Sequence, residues 1–246
     1  MLLVVGVCRL WVQMWRRSGV SMRRLVVLVL VTVVVAAAGN VSAEASVSGE
    51  DGLIAFVSGV SGVPQIYVVE VDGSGLRQVT SFDEDLPHPS VGSLDWSPDG
   101  TRLAFDVSGS DPVYPAGVWV INVDGSGLDF ITAGGSPSWS PDGQTLAFSK
   151  EATGQINGLA TSVVATIDLA SREETILTDP GDWEHSSGNG KTTWDRRPVW
   201  APDGTSIFFL RHFPGSASIS SDGIFEVEIS DGSVTPISRG FGNVPD

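Results

Sequence analysis

The sequence predicts an all-β fold built from repeated, four-stranded antiparallel units. A short segment that opens on Trp occurs three times, at intervals of 43 and 61 residues. A β-branched segment that ends in Asp-Gly recurs between these copies, and no amphipathic helical pattern follows residue 43. Four antiparallel strands repeated in this way are typical of β-propeller blades. We therefore predict a β-propeller with four visible blades that form an incomplete ring.

The opening segment of each unit predicts a tight turn followed by a strand. The copies at Trp96, Trp139 and Trp200 are WSPDGTRLAF, WSPDGQTLAF and WAPDGTSIFF, and GEDGLIAF is a degenerate first copy. Pro at the second and Gly at the fourth position suit a type I turn. We interpret the repeated Trp residues as packing between blades. The turn Asp residues are interpreted as turn chemistry, because no calcium-loop spacing surrounds them.

The second half of each unit predicts a hairpin. IYVVEVDGSGLRQVT starts at Ile66 and VWVINVDGSGLDFIT at Val118, with degenerate copies from Val163 and Ile224. Asp-Gly between apolar, β-branched segments is a strong hairpin signal. The predicted blades cover residues 47–92, 93–135, 136–197 and 198–246.

These repeats resemble a known family. Trp followed by Ser-Pro-Asp-Gly and a Leu-Ala-Phe strand is similar to the WD-repeat-like unit of TolB-like propellers, over residues 47–246. The same repeat occurs in the propellers of prolyl-oligopeptidase-type enzymes. The resemblance implies a propeller whose TolB-like role would involve a protein partner in the cell envelope. The triad of the peptidases lies in a separate hydrolase domain, so no catalytic residue is carried over.

The visible blade number leaves three alternatives. TolB-like propellers usually have six blades, and at Asp246 the Trp of a further copy is due. A fragment of a longer protein is the leading interpretation. A ring completed by a second copy and a true four-bladed ring are the others. In the first two cases an isolated chain exposes apolar blade faces, so self-association is expected.

The beginning of the chain predicts export. Residues 22–43 have the order of a signal peptide: a basic MRR start at Met22, a 14-residue apolar run that ends at Ala38, and small residues before cleavage after Ala43. The apolar run is shorter than the ~20 residues of a membrane-spanning helix. Residues 1–21 are a doubtful extension ahead of it. We predict a secreted or periplasmic protein without stable membrane insertion.

Charge and motifs exclude several classes of function. After residue 43 the chain has 29 acidic residues against 9 Lys and Arg, a formal charge of −20. Such a surface repels phosphate backbones, so we predict no nucleic-acid partner. No nucleophile elbow, His-Glu-x-x-His motif or phosphate loop is present, and the sole cysteine, Cys8, precedes the cleavage site. We predict no catalytic residue, cofactor or metal; a metal site from Asp83, Asp85 and His88 is the weaker interpretation.

The long insertions predict a binding face. In an up-and-down blade, the loops between strands two and three share a face with the loops between blades. These loops hold nearly all the insertions, which we predict at residues 108–117, 150–162, 180–197 and 211–223. The richest stretch is DPGDWEHSSGNGKTTWDRR, whose Trp residues and mixed charges suit a protein, peptide or glycan. The alternative is a solvated loop whose Trp residues tuck back onto the blade. The predicted ligand-binding residues are His88, Tyr114, Trp183, His185, Trp194, Arg196, Arg197 and His212.

Together these observations predict an exported, non-catalytic binding module. One alternative is the propeller portion of a secreted prolyl-oligopeptidase-type peptidase that lacks its hydrolase domain. The other is a propeller lyase or glycosidase with its active site at the channel mouth.

Overall fold

The computed structural model describes most of the chain after residue 45. The described ranges are 46–47, 52–83, 90–110, 113–156, 159–179, 194–213 and 221–238. Within them the structure has sixteen strands and no helix, which confirms the all-β prediction. None of these residues therefore forms a helix that could cross a membrane. The predicted signal peptide, His88, Trp183 and His185 lie outside the described residues.

Four groups of four strands follow one another along the chain, and we call them blades 1 to 4. Blade 1 contains β1 (Ser46–Val47), β2 (Ile54–Ser58), β3 (Gln65–Val69) and β4 (Arg77–Gln78). Blade 2 contains β5 (Ser90–Trp96), β6 (Arg102–Ser110), β7 (Pro115–Asn122) and β8 (Asp129–Thr132). Blade 3 contains β9 (Gly135–Trp139), β10 (Thr145–Ile156), β11 (Leu159–Asp168) and β12 (Glu174–Ile176). Blade 4 contains β13 (Trp194–Trp200), β14 (Ser206–Phe213), β15 (Ser221–Glu228) and β16 (Val234–Ser238).

Each strand pairs antiparallel with the next strand of its own blade. Blades 3 and 4 are also joined directly, through a parallel pairing of Ser162 in β11 with Trp194 in β13. The hydroxyl of Ser162 supports this junction by donating to the backbone carbonyl of Asp195 at 2.8 Å. The first strand of blade 4 is thus held by blade 3 as well as by its own sheet.

The Ser-Pro-Asp-Gly segments form the predicted turns. In blade 2, the Asp99 carboxylate accepts hydrogen bonds from the hydroxyl of Ser97 at 2.6 Å and from the amide of Thr101 at 3.0 Å. These bonds, the one from Ser97 foremost, lower the pKa of Asp99 to about 2. Gly100 closes the turn with a φ of 68°, which favours glycine. Asp142 accepts equivalent bonds from the hydroxyl of Ser140 and the amide of Gln144. In blade 4, where Ala201 replaces the serine, Asp203 accepts from the amide and the hydroxyl of Thr205. The interpretation of these Asp residues as turn chemistry is confirmed.

The repeated Trp residues pack between blades, as predicted. Trp96 is buried in an apolar cluster shared by blades 1 and 2, and Trp139 in one shared by blades 2 and 3. Trp200 is half-buried against a third cluster between blades 3 and 4. The guanidinium of Arg102 in blade 2 also lies 4.5 Å above the ring of Trp139. The hydrophobic core therefore lies between blades.

Two of the predicted insertions are largely strand. Residues 108–117 were expected to form a loop, but β6 continues through Ser110 and β7 begins at Pro115. Residues 150–162 form most of a long hairpin, in which Lys150 pairs with Val163 and Ala152 with Thr161. The loop prediction is wrong there because antiparallel pairing satisfies the backbone of a polar segment as well as that of an apolar one.

Candidate functional site

Four side chains meet at one end of the strands of blade 4. Trp194 begins β13, His212 lies near the end of β14 and Asp222 near the beginning of β15, so antiparallel pairing brings them side by side. The rings of Trp194 and His212 stack with centroids 5.1 Å apart. Nδ1 of His212 lies 2.6 Å from Oδ1 of Asp222, and Arg196 lies 3.4 Å from both oxygens of that carboxylate. We call Trp194, Arg196, His212 and Asp222 the blade 4 cluster.

The blade 4 cluster is partly open to solvent. The side chains of Arg196 and Asp222 are each 46% exposed, and that of His212 is 17% exposed. The cluster thus offers an aromatic surface, a cation, an anion and an imidazole within one small area. Such a mixture can stack on a ring and form hydrogen bonds in both directions.

A buried ion pair lies directly beneath this cluster. Nε and Nη2 of Arg211 donate to the two oxygens of Asp195 at 2.6 and 2.7 Å, a bidentate pairing. The guanidinium lies within 5.5 Å of the rings of Phe209 and Phe225. Asp195 stands between Trp194 and Arg196 on β13, so the pair fixes the strand that carries two cluster residues. Sequence analysis did not single out Asp195, Arg211 or Asp222 as a set, because their proximity depends on strand register.

The structure corrects the position of three predicted site residues. Trp194, Arg196 and Arg197 were placed in a loop, but all three lie in β13. Trp194 and Arg196 pair with β14, whereas Arg197 lies at the register shift that follows Arg196. Strand pairing and the Asp195 ion pair outweigh the low strand propensity of this charged segment. The structure brings Trp194, Arg196 and His212 together, whereas Arg197 lies elsewhere on the strand.

Arg197 lines a cavity formed by the first strands of blades 2, 3 and 4. The cavity has a volume of about 240 Å³ and is lined by Ser93, Leu94, Asp95, Ser136, Pro137, Ser138, Arg197, Pro198 and Val199. Arg197 has a φ of 54°, in the left-handed region that few side chains adopt. Its amide donates to the hydroxyl of Ser149 in blade 3 at 3.1 Å, which helps to hold this conformation.

Asp95 is the acidic group in the lining of this cavity. Burial raises the pKa of its carboxyl above the ordinary value, because a carboxylate is less stable away from water. A hydrogen bond from the amide of Trp139, at 2.7 Å, opposes that shift. Asp95 therefore combines a link between blades 2 and 3 with a half-buried carboxyl group.

We expect the effect of Asp95→Asn on stability to depend on pH. The folded-state pKa of Asp95 is raised, so the stability linked to its protonation is present below the unfolded pKa and lost as pH rises through the raised pKa. An amide stays neutral and can still accept from Trp139. Relative to wild type, Asp95→Asn should therefore be more stable at about pH 7 than at about pH 3, as measured by urea unfolding.

Asp231→Asn is the matched control for this experiment. Hydrogen bonds from Ser233, its side chain foremost, lower the pKa of the exposed Asp231 carboxyl. Its stabilising contribution is present above the unfolded pKa and is lost as pH falls, so this variant should show the opposite trend. A difference in unfolding free energy between Asp95→Asn and wild type that does not change with pH would contradict the raised pKa of Asp95.

Tyr114 lies apart from the blade 4 cluster. It precedes β7 and packs edge-on against Phe82, with ring centroids 4.8 Å apart, and against Trp119 at 6.1 Å. These contacts place it at the border of the core between blades 1 and 2. Its role in ligand binding stays a prediction.

A second cleft lies at the junction of blades 3 and 4. It has a volume of about 480 Å³ and is lined by Ile176, Leu177, Thr178, Asp179, Arg211, Gly232 and Val234. Arg211 connects this cleft with the blade 4 cluster through Asp195. Over the described ranges, no three His, Cys, Asp or Glu side chains come together in a group that could hold a metal ion.

Comparison with solved structures identifies the architecture. TolB from Acinetobacter baumannii matches with a TM-score of 0.54 and 19% identity, over 76% of this chain and 41% of its own. A TolB-type protein from Agrobacterium tumefaciens matches with a TM-score of 0.58 and 17% identity, over 80% of this chain and 67% of its own. The fold is a TolB-like β-propeller. The prediction of four-stranded blades in an incomplete ring is thereby confirmed.

The TolB-like propeller fold also occurs within larger proteins. A puromycin-hydrolysing peptidase from Mycobacterium tuberculosis matches with a TM-score of 0.54 and 13% identity, over 82% of this chain and 30% of its own. The present chain spans less than half the length of this peptidase and of the Acinetobacter TolB. No protein-family model matches the chain, and no curated protein matches it significantly. At these identities the likeness concerns the fold.

Proposed function

We propose that this chain is an exported, non-catalytic binding module that recognises a protein, peptide or glycan through the face that carries the blade 4 cluster. The observation that carries the proposal is the convergence of four side chains at one end of the strands β13, β14 and β15. They are those of Trp194, Arg196, His212 and Asp222. A stacked aromatic pair beside a partly exposed cation and anion is the composition of a recognition hot spot. The rigid blade beneath it keeps these groups in place.

The ligand class follows from the chemistry of the cluster. Trp194 and His212 supply flat rings for stacking on a sugar or a side chain, and Arg196 and Asp222 supply hydrogen bonds. Arg196 is paired with Asp222, so the surface is of mixed charge. A strongly acidic partner is disfavoured because the chain itself carries a large excess of Asp and Glu. The TolB-like fold supports a protein partner in the cell envelope as the first class to test.

Peptide and glycan arrays probed with the labelled protein would identify a ligand. We expect Trp194→Ala to weaken binding of that ligand by about 30-fold, since a central aromatic anchor contributes about 2 kcal/mol. Its free energy of unfolding should stay within about 1 kcal/mol of wild type. Isothermal titration calorimetry and urea unfolding measure the two quantities.

Leu76→Ala is the matched control for the binding face. Leu76 is 62% exposed and lies in the hairpin turn between β3 and β4, at the opposite end of the strands from the blade 4 cluster. This variant should bind the ligand as wild type does. Equal weakening by both variants would argue against the cluster as the recognition surface, and a large loss of stability in Trp194→Ala would assign that ring to the core.

Export belongs to the same proposal and has its own test. Cleavage after Ala43 gives a mature protein that begins at Glu44. We expect mass spectrometry of the protein outside the cytoplasm to find Glu44 as the first residue. An exported protein that retains residues 22–43 would contradict the signal-peptide prediction.

The match to the peptidase favours one second function. This second function is the propeller portion of a secreted peptidase. The gene structure distinguishes it from a separate binding module, since a peptidase propeller requires a hydrolase domain in the same protein. Sequencing the gene through and beyond the codon for Asp246 tests this directly. A hydrolase domain in frame would select the peptidase, and the binding module would then serve as its substrate filter.

A further inference from the structure

The interface between blades 2 and 3 and the interface between blades 3 and 4 are built from equivalent positions of the repeat. The backbone bonds that close the turns and the registers of the strands fix which residues correspond. Thr132 corresponds to Thr178, Lys150 to Arg211 and Glu174 to Val234. Differences between these side chains therefore show how the two interfaces differ chemically.

A carboxylate fills the interface between blades 2 and 3. Glu174 accepts a hydrogen bond from the hydroxyl of Thr132 in blade 2 and forms an ion pair with Lys150 in its own blade. A Thr hydroxyl and a cation thus bind one carboxylate between them, in a partly buried position. Hydrogen bonds to a charged group are among the stronger ones in proteins.

The interface between blades 3 and 4 keeps the two donors and lacks the carboxylate. Thr178 again provides a hydroxyl and Arg211 a cation, but Val234 stands in place of Glu174. Thr178, Arg211 and Val234 all line the cleft of about 480 Å³ at this junction. The cleft therefore lies where the neighbouring interface holds its carboxylate.

The hydroxyl of Thr178 is buried and has a proton left to donate. Thr178 is 2% exposed, and its oxygen accepts from the amide of Val164 at 2.9 Å. In blade 1 the equivalent hydroxyl, that of Thr80, also accepts from a strand amide but donates to Gln65 at 2.7 Å. Val163 stands at the position of Gln65 in blade 3 and offers no side-chain acceptor. Among the residues that the structure describes, no acceptor receives the Thr178 proton.

Arg211 also has donors that face the cleft. Asp195 accepts from its Nε and Nη2, whereas Nη1 makes no hydrogen bond within the described ranges, although the side chain is only 4% exposed. Blade 2 has a buried apolar pair, Val91 and Val107, at the positions of Asp195 and Arg211. A buried ion pair is often no more stabilising than a well-packed apolar pair. Stability alone therefore does not explain Arg211, whereas presenting N–H donors to the cleft does.

We propose that the cleft between blades 3 and 4 binds a small molecule that carries a carboxylate on a short apolar stem. The carboxylate lies between the hydroxyl of Thr178 and Nη1 of Arg211, as that of Glu174 lies between its two donors one interface earlier. Ile176 and Leu177 belong to the apolar part of the lining, which suits the stem. A volume of about 480 Å³ is that of a small-molecule site.

This site is separate from the blade 4 cluster, and its electrostatics limit the affinity. None of the four cluster residues lines the cleft. Asp195 already balances the charge of Arg211, and Asp179 is a second acidic residue in the lining. A bound carboxylate gains hydrogen bonds but little net Coulomb attraction, so we expect a dissociation constant of about 1 mM.

An NMR titration of the purified chain tests the proposal with isovalerate as the probe. Isovaleramide has the same stem and no charge, and it serves as the control compound. Isovalerate should cause saturable shifts of the backbone amides of Thr178 and Gly232, and isovaleramide should bind at least about tenfold more weakly. The absence of a saturable shift with isovalerate, or equal binding of the two compounds, overturns the proposal.

Two variants locate the bound carboxylate within the cleft. Asp195→Val combined with Arg211→Val reproduces the apolar pair of blade 2 and removes the guanidinium without leaving an unpaired charge. Val234→Glu supplies the cleft with a carboxylate of the chain itself, as Glu174 does at the preceding interface. Each change should raise the dissociation constant for isovalerate at least about tenfold.

Leu128→Glu is the matched control for Val234→Glu. Leu128 holds the equivalent position in blade 2, is 38% exposed and does not line the cleft, so this variant should bind isovalerate as wild type does. A well-dispersed spectrum shows that each variant is folded, and Val234→Glu decides alone if the double variant does not fold. Binding as in wild type by a folded double variant or by Val234→Glu overturns the proposal.

Discussion

Replacing Asp195 by Ala is expected to lower the free energy of unfolding by about 3–5 kcal/mol. The side chains of Asp195 and Arg211 are 0% and 4% exposed, and two short hydrogen bonds join them. Loss of the carboxylate leaves a guanidinium buried between Phe209 and Phe225 without its counter-charge. The large effect comes from this uncompensated charge and exceeds the net stabilisation that the intact pair provides.

Urea unfolding followed by circular dichroism measures this loss, and an exposed pair provides the control. Asp129 and Arg172 form an ion pair between blades 2 and 3, with side chains 53% and 41% exposed. Asp129→Ala should cost less than about 1 kcal/mol, because solvent already screens that pair. A similarly small cost for Asp195→Ala would mean that water in the neighbouring cleft solvates Arg211.

The same ion pair decides whether the candidate site can form. Asp195 holds β13 against β14, and the residues on either side of it belong to the blade 4 cluster. Asp195→Ala should therefore weaken ligand binding as well as stability, whereas Trp194→Ala should weaken binding alone. Comparing the two variants separates a residue that positions the surface from a residue that contacts the ligand.

The repeated turns explain why so much of the fold was predictable from the sequence. Ser-Pro-Asp-Gly encodes its own geometry through Pro, Gly and the hydrogen bonds of Asp99, all within a few residues. The repeated Trp residues identify the packing between blades for a similar reason, since a large ring at a fixed point in each unit needs a large partner surface. A turn and a packing residue that repeat along the chain therefore predict the fold even from a single sequence.

The candidate site was less predictable because its chemistry is not local. Trp194 to Arg197 resemble a solvated loop, as a run of charged residues after a Gly-rich segment usually does. Their strand conformation depends on pairing with β14, and the burial of Asp195 depends on Arg211, which lies 16 residues later. Asp222 joins the cluster only through the register of β15. Composition predicted the type of surface, and register determined which residues share it.

Phe148→Ala is expected to destabilise the protein by about 3–5 kcal/mol and to reduce the cooperativity of unfolding. Phe148 is fully buried at the interface of blades 2 and 3, where it packs in the same cluster as Ala104 and Val118. The packing is tight, because a methyl group added at Gly134 would lie only 2.7 Å from Cδ2 of the ring. Blades contact mainly their neighbours, so a cavity here weakens the connection between the two halves of the described structure.

Two probes of the same urea titration measure both effects. Circular dichroism follows all the strands, and tryptophan fluorescence follows the rings at the blade interfaces; their transitions should coincide in wild type and separate in Phe148→Ala. Phe130→Ala removes the same side chain from the outer strand β8, where it is 38% exposed and packs edge-on against Trp119. This control should cost about 1 kcal/mol and keep a single transition. Equal losses in the two variants would show that the blade interface contributes no more to stability than the outer edge, against the burial of Phe148.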